Sequence, residues 1–175
     1  VNYMVFADLD AGARIDAVYG DGSSSLSIHA GAGGFYQNIY GGDTSVSINP
    51  SLLPVFPSLA YDTYVTIGLT DSTANALNVV GNLFTNWVET DNGSWFVTPD
   101  DAQGSEVNGR VLIGSFTIVD GSGDPFSDFS SFSINLQGKD AGGATWNELG
   151  AGLAIPAPGA IVLLGISGLI CRRRR

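Results

Sequence analysis

The chain has 175 residues, 44% hydrophobic and 10% aromatic, with 24 Gly; this is too apolar for a disordered polymer and sufficient for one packed domain with a tail. Its 17 acidic residues face 7 basic ones, and four of those are the terminal Arg172, Arg173, Arg174 and Arg175, so the body holds only Arg14, Arg110 and Lys139 and its charge excludes nucleic acid as a partner. Cys171 is the only cysteine and His29 the only histidine, which excludes an intrachain disulfide, a Cys-type structural zinc site and a multi-histidine metal centre.

Short β-branched or alternating runs, separated by Gly, Asp, Ser and Pro clusters, dominate the first 150 residues. They predict strands at 3–9, 14–19, 25–29, 45–48 and 63–69, the last with Val65, Ile67 and Leu69 on one face. Pro50, Pro54 and Pro57 make 49–59 an irregular loop. After Asp71-Ser72-Thr73, which supplies an N-cap, Leu77, Val80, Gly81, Phe84 and Val88 recur at helical spacing and predict a short helix. Further strands follow at 95–98, 111–119, 132–137 and 145–149, with Phe132, Ile134 and Leu136 sharing a face. Gly20-Asp21-Gly22, Gly41-Gly42-Asp43, Asn92-Gly93, Asn108-Gly109 and 121–124 supply turns. The expectation is an all-β fold, a single β-sandwich of jelly-roll or cohesin-like form over 1–150, followed by a linker and C-terminal segment over 151–175.

Residues 155–175 read IPAPGAIVLLGISGLICRRRR. Pro156 and Pro158 exclude a helix interior, and 160–171 carries no charge, so a hydrophobic helix is expected after the prolines. That uncharged run spans about 18 Å at 1.5 Å per residue, and starting at Ile155 adds about 7 Å, against about 30 Å of bilayer hydrocarbon. The arginines reach the headgroups and are retained on the cytoplasmic side, which places the body outside.

A proline-x-proline, a short apolar run and a terminal arginine cluster resemble the PEP-CTERM sorting signal of bacterial exosortase substrates. The resemblance rests on Pro156, Ala157, Pro158 and Arg172 to Arg175, with Ala157 where that family has Glu. It implies export, a transient inner-membrane anchor and an exosortase-type sorting protease as partner, with cleavage near the prolines. Val1-Asn2-Tyr3 begins directly as a strand, so an N-terminal export signal is expected to have been removed or left out of this sequence. In the body, 95–104 and 109–116 are similar to segments of secreted planctomycete-type proteins.

Asp8, Asp10 and Asp16 bracket a Gly-containing turn, and Asp120, Asp124 and Asp128 form a second loop cluster; both are candidate Ca²⁺ ligands, and no other cofactor is expected. Asp100, Asp101 and Glu106 form a third acidic group, and Asp100 with Asp101 is the candidate carboxylate pair of a hydrolase. A Ser-His-Asp triad would have to use His29, with Ser25 and Ser27 nearby. Phe35, Tyr36 and Tyr40, amid Gly and amide side chains, are the candidate sugar contacts.

These features lead to the expectation of a non-enzymatic protein of the cell envelope or extracellular matrix, structural or adhesive in role. A carbohydrate-binding module that meets extracellular polysaccharide and a secreted hydrolase are the alternatives. Self-association into a surface filament or layer is the assembly variant.

Overall fold

The computed structural model describes residues 1–81, 84 and 87–154. Ten strands and one helical turn succeed one another there: β1 (Asn2–Asp8), β2 (Arg14–Gly20), β3 (Leu26–Ala30), β4 (Tyr64–Val65), β5 (Asn78–Val80), β6 (Val88–Thr90), β7 (Gly93–Phe96), β8 (Arg110–Thr117), α1 (Pro125–Asp128), β9 (Phe129–Lys139) and β10 (Thr145–Ala151). They form two antiparallel sheets, one of three strands in the order β1-β8-β4 and one of seven.

The seven-stranded sheet follows from its register. Arg14 to Tyr19 of β2 pair with Lys139 to Asn135 of β9, and Ser27 to Ala30 of β3 pair with Ser133 to Phe129. β2 and β3 therefore run end to end along one side of β9, interrupted by a turn in which Asp21 and Ser24 exchange backbone hydrogen bonds at 3.0 and 3.1 Å. β7 and β6 flank them in the same way, β5 closes that side, and β10 lies on the opposite side of β9. Asn135 is fully buried and holds the interruption together: its Nδ2 donates to the carbonyls of Tyr19 (3.0 Å) and Ser24 (2.7 Å), while its Oδ1 accepts from Ser24 Oγ (2.7 Å) and Gly150 N (3.0 Å). Each polar atom of this amide finds partners, as burial demands.

Alternation decides which side chains enter the core. Val18, Leu26, Ile28, Val88, Trp95, Ile134 and Leu136 of the large sheet meet Ala7, Val65, Val111, Ile113 and Phe116 of the small one. β8 is the central strand of its sheet and is buried from Val111 to Phe116. Trp95 is completely buried on β7, and its indole Nε1 donates to the Thr66 carbonyl beside β4 at 3.0 Å. A polar bond thus joins the two sheets through the apolar core.

Three predicted elements differ. The helix predicted from Leu77 to Val88 is instead β5, a bridge between Phe84 and Val88, and β6. Gly81 at φ +86° leaves the right-handed helical region, and Asn78 to Val80 gain pairing with β7. The strand predicted at 45–48 is a 3-10 turn over Ser45–Ser47, because Ser45 Oγ is drawn inward to Thr66 Oγ1 at 2.7 Å. The strand predicted at 63–69 pairs regularly only at Tyr64–Val65, after which Leu69 N turns back to the Ile67 carbonyl at 3.0 Å. The proline-rich loop is more ordered than expected: Pro50 and Pro57 open 3-10 turns at Pro50–Leu52 and Pro57–Tyr61, where their fixed φ is favourable. Among the described residues no helix is long and apolar enough to cross a membrane, and the hydrophobic helix expected after Pro158 lies outside them.

Trp95 provides a measure of how the sheets are held. Trp95→Phe leaves the buried Thr66 carbonyl without its donor and is expected to cost about 1–3 kcal/mol, whereas Trp95→Ala, which opens a cavity, costs about 3–5 kcal/mol. Urea unfolding monitored by far-ultraviolet circular dichroism should rank the three proteins in that order.

Candidate functional site

β9 exposes one edge of its alternation, and the register carries that edge across the sheet. Opposite one another lie Asn78 of β5, Phe96 of β7, Ala17 of β2, Gln137 of β9 and Asn147 of β10. The next row holds Val80, Ser94, Tyr19 and Asn135. Phe96, Tyr19 and Gln137 are half-buried by their strand neighbours, and Asn78 and Asn147 are exposed. Aromatic faces flanked by amides form a surface suited to the alternating apolar and hydroxyl faces of a sugar ring. The same face continues to Ser27, whose Oγ lies 2.8 Å from Ser131 Oγ, and to His29, whose ring lies 5.4 Å from that of the half-exposed Trp87 and whose Nε2 lies 3.3 Å from Glu89 Oε2. The candidate sugar residues of the sequence lie elsewhere. Phe35 turns into the core, 5.7 Å from Phe116 and 6.4 Å from Phe129 by ring centroid, so it is removed from that set. Tyr36 takes a hydrogen bond from Asn38 Nδ2 at 3.0 Å, and Tyr40 has one face stacked on Phe56 at 4.0 Å.

The acidic clusters have structural partners. Asp8 and Asp10 border a broad depression that Asp140 and Glu148 also line, whereas Asp16 lies buried on β2 with its Oδ1 3.0 Å from Arg14 Nε. Arg14 Nη2 reaches Asp100 at 2.6 Å, and Lys139 Nζ stands 3.6 Å from the same oxygen. These are ion pairs whose angles are poor for linear hydrogen bonds. Two of the body's three basic side chains thus converge on Asp100, which stands at φ +76°, and hold its carboxyl below the usual range, Arg14 being the main cause. The third, Arg110, lies over the Phe6 ring at 4.4 Å. Asp101 caps the next turn through Gln103 N at 2.9 Å, so the candidate hydrolase pair serves two separate local structures. Glu106 accepts from Gly12 N at 3.1 Å and Gly109 N at 2.7 Å, which clamps the β1–β2 turn to the loop before β8 and lowers its pKa. Among the described residues no three His, Cys, Asp or Glu side chains come together in a way that could hold a metal ion.

Two buried aspartates show how local donors decide protonation. Asp128 accepts from Tyr3 Oη, from Ser122 N at 2.7 Å and Ser122 Oγ at 2.8 Å, and from Gly123 N at 3.0 Å. The Tyr3 bond, followed by the Ser122 and Gly123 donors, outweighs burial and holds its carboxyl far below the carboxylate range; burial and this acceptor push the Tyr3 phenol up to about 12. Asp124 caps α1 beside it through Phe126 N at 3.1 Å and Ser127 Oγ at 2.8 Å, and Asp120 occupies a positive-φ turn position. Asp62 is equally hidden, and its side chain accepts from Asn38 N at 2.7 Å and Gly42 N at 2.8 Å, with Thr63 N beside it. Burial wins there and raises its pKa. A Cβ on Gly41 would stand 1.8 Å from Asp62 Oδ2, so only glycine lets the loop close on this carboxylate.

An apolar cleft of about 460 Å³ opens between β1 and β9, where the described chain ends. Tyr3, Val5, Phe129 and Phe132 form its walls, and Leu153 and Ala154 border it after β10. The signal for this cleft in the sequence was weak, because Met4 and Phe6, both partly exposed, alternate with Tyr3, Val5 and Ala7 on a strand that reads as apolar throughout.

No protein-family model matches this chain, and searches of curated proteins and of solved structures likewise return no match.

The Asp128 cage sets a pH dependence. Its depressed folded pKa contributes stability that is complete above the unfolded aspartate value of about 3.9 and is lost as pH falls through the folded value. Tyr3→Phe removes the leading donor, so acid unfolding followed by near-ultraviolet circular dichroism is expected to begin at a higher pH than in the parent. Asp62 acts with the opposite sign: its raised folded pKa contributes stability that is lost as pH rises through that value.

Proposed function

We propose that this chain is an exported, non-enzymatic protein of the bacterial cell envelope or extracellular matrix, delivered through a PEP-CTERM-like C-terminal signal and structural or adhesive in role. The observation that carries this reading is the segment 155–175: proline-bounded, uncharged over 160–171 and closed by Arg172 to Arg175. Its position agrees, because the described chain leaves the sandwich at Ala151–Ala154, after its last strand and at the protein surface, so an appended segment can be handled by a membrane enzyme without unfolding the core. The sorting residues themselves lie outside the described residues. The body is of the jelly-roll or cohesin-like kind, a reading supported by the long interrupted strand pairs of the larger sheet, and it serves as cargo.

In this reading the protein recovered from its native envelope has lost the residues after Pro158. Intact-mass measurement checks this; a mass that retains all residues through Arg175 contradicts processing and leaves a permanent anchor. Replacing Arg172 to Arg175 by Ser should divert the protein from the membrane fraction.

The adhesive role has a specific surface. The Asn78–Phe96–Ala17–Gln137–Asn147 row favours a neutral polysaccharide as the bound material, since it combines an aromatic ring with amides and carries no charge. Affinity electrophoresis in gels containing a neutral polysaccharide should show retardation that Phe96→Ala abolishes and Tyr40→Ala leaves intact. Equal loss in both variants, or no retardation of the parent, counts against this face.

A further inference from the structure

We infer that one end of the sandwich, built around Ile39, Tyr40, Val55 and Phe56, rests on the surface of the lipid bilayer that receives the C-terminal segment. The inference deepens the proposed function and rests on its placing 155–175 in a membrane. Its first observation is an apolar knob. Ile39 is 88% exposed and Val55 66%, and the stacking of Tyr40 on Phe56 fastens the two stretches into one patch. Asn38 Nδ2, bonded to Ser58 Oγ at 3.0 Å, makes a second tie between them. From 38 to 62 the only charged residue types are Asp43 and Asp62, and Asp62 is fully buried. Aliphatic tips with a tyrosine beside them are the side chains that settle at the boundary between headgroups and acyl chains.

The second observation is where this knob lies. Tyr36 N bonds the Thr117 carbonyl at 2.8 Å and Thr63 N bonds the Tyr36 carbonyl at 3.2 Å, so the loop springs from the Thr117 end of β8. Asn2 pairs with Thr117, Tyr3 bonds Asp128, and β10 runs from Thr145 opposite Lys139 to Ala151 opposite Ile134, toward this same end. The described chain therefore leaves the sandwich at the end that bears the knob, and Phe126, 60% exposed, stands there also. A larger acidic group stands at the other end. Asp8 pairs with Arg110 at the start of β8; Glu106 clamps Gly12, and Asp100 meets Lys139 at the end of β9, with Asp10, Asp101 and Asp140 in adjoining turns. At the near end Asp43, on the knob's own loop, and Asp120 and Asp124, on the turn before α1, remain exposed, which makes a zwitterionic surface the better partner than an anionic one. The charge distribution thus points the acidic end into water when the knob meets lipid.

The test uses the full chain carrying Cys171→Ser with a single new cysteine, Ile39→Cys or Asp101→Cys, each bearing an environment-sensitive fluorophore. Ile39 is exposed and Asp101 half-buried, and neither is a core residue; Asp101→Cys gives up its cap on Gln103 N, so far-ultraviolet circular dichroism checks that this variant keeps the parent fold. Flotation with phosphatidylcholine vesicles reports binding, and emission with lipid-borne quenchers reports depth. The expected result is flotation of both proteins, a blue shift at position 39, and quenching there at least about two-fold greater than at 101. Flotation with position 39 still in water overturns the docked end and leaves the tail reading standing. Absence of flotation overturns both. A blue shift at position 39 before vesicles are added, with a dimeric mass in solution, assigns the knob to a second copy of the chain and overturns the lipid assignment.

Discussion

The Asp128 carboxylate organises the end of the molecule from which the chain departs. Four donors from three residues meet on it, tying edge strand β1 through Tyr3, the 119–123 turn through Ser122 and Gly123, and α1 through its own position in the chain. Its backbone carbonyl receives Gly31 N at 2.6 Å, which brings in the loop after β3. A charge with 5% exposure is costly unless its lone pairs are filled, and filling them requires these four segments to stand where they do. The edge of the small sheet, the mouth of the apolar cleft and the base of the long 31–62 excursion are fixed together as a result.

Asp62 provides the contrast within one chain. Both residues are aspartates withdrawn from water, and neither has a cation within ion-pair distance among the described residues. With a phenol, a hydroxyl and two backbone N–H groups the ionised form is favoured; with the fewer donors around Asp62, desolvation prevails. The cations are spent elsewhere, Arg14 and Lys139 on Asp100 and Arg110 on Phe6. In a body with three basic residues, carboxylates have to be satisfied by hydrogen-bond donors, and the abundance of Ser, Gly and Asn in its turns supplies them.

β1, β2, β3, β8 and β10 lie within a few residues of their predicted bounds, β2 and β3 because burial on one face imposes a period of two and the others because turn residues bound their runs. β9 was underestimated, since Phe129 to Ser131 continue the pattern through a serine run that looks like a turn. The positions Leu77, Val80, Gly81, Phe84 and Val88 satisfied a helical period by coincidence, and pairing with β7 decided the conformation of Asn78 to Val80. The acidic clusters were visible as clusters, but the hydrogen-bond donors that meet them were not. Whether Asp124 caps a helix or binds a cation depends on where Phe126 N points, which spacing does not encode. Phe35 misled for a related reason: a Gly-rich neighbourhood suggests a solvent loop, yet this loop is laid back over the core and seals it. The outer row through Phe96, Ala17 and Gln137 could be found only once the register was known.

The length of the tail bears on why a docked end is physically reasonable. An uncharged run of about 18 Å falls short of about 30 Å of hydrocarbon, so a span made from it needs thinning of the bilayer, reach from its arginines, or both. Lipidated proteins with one short apolar anchor hold to membranes only marginally, and a second contact converts such an anchor into a stable one. Ile39 and Val55, apolar tips kept in water by a folded scaffold, stand at the end where the proposed docking puts that second contact. A body linked close to the lipid also gains from effective concentration, because a short linker presents the knob to the surface at a local concentration far above that of a free domain. On the proposed reading, the thinness of the tail and the exposure of the knob bear on a single problem, which is to hold an acidic body upright on a membrane until its signal is processed.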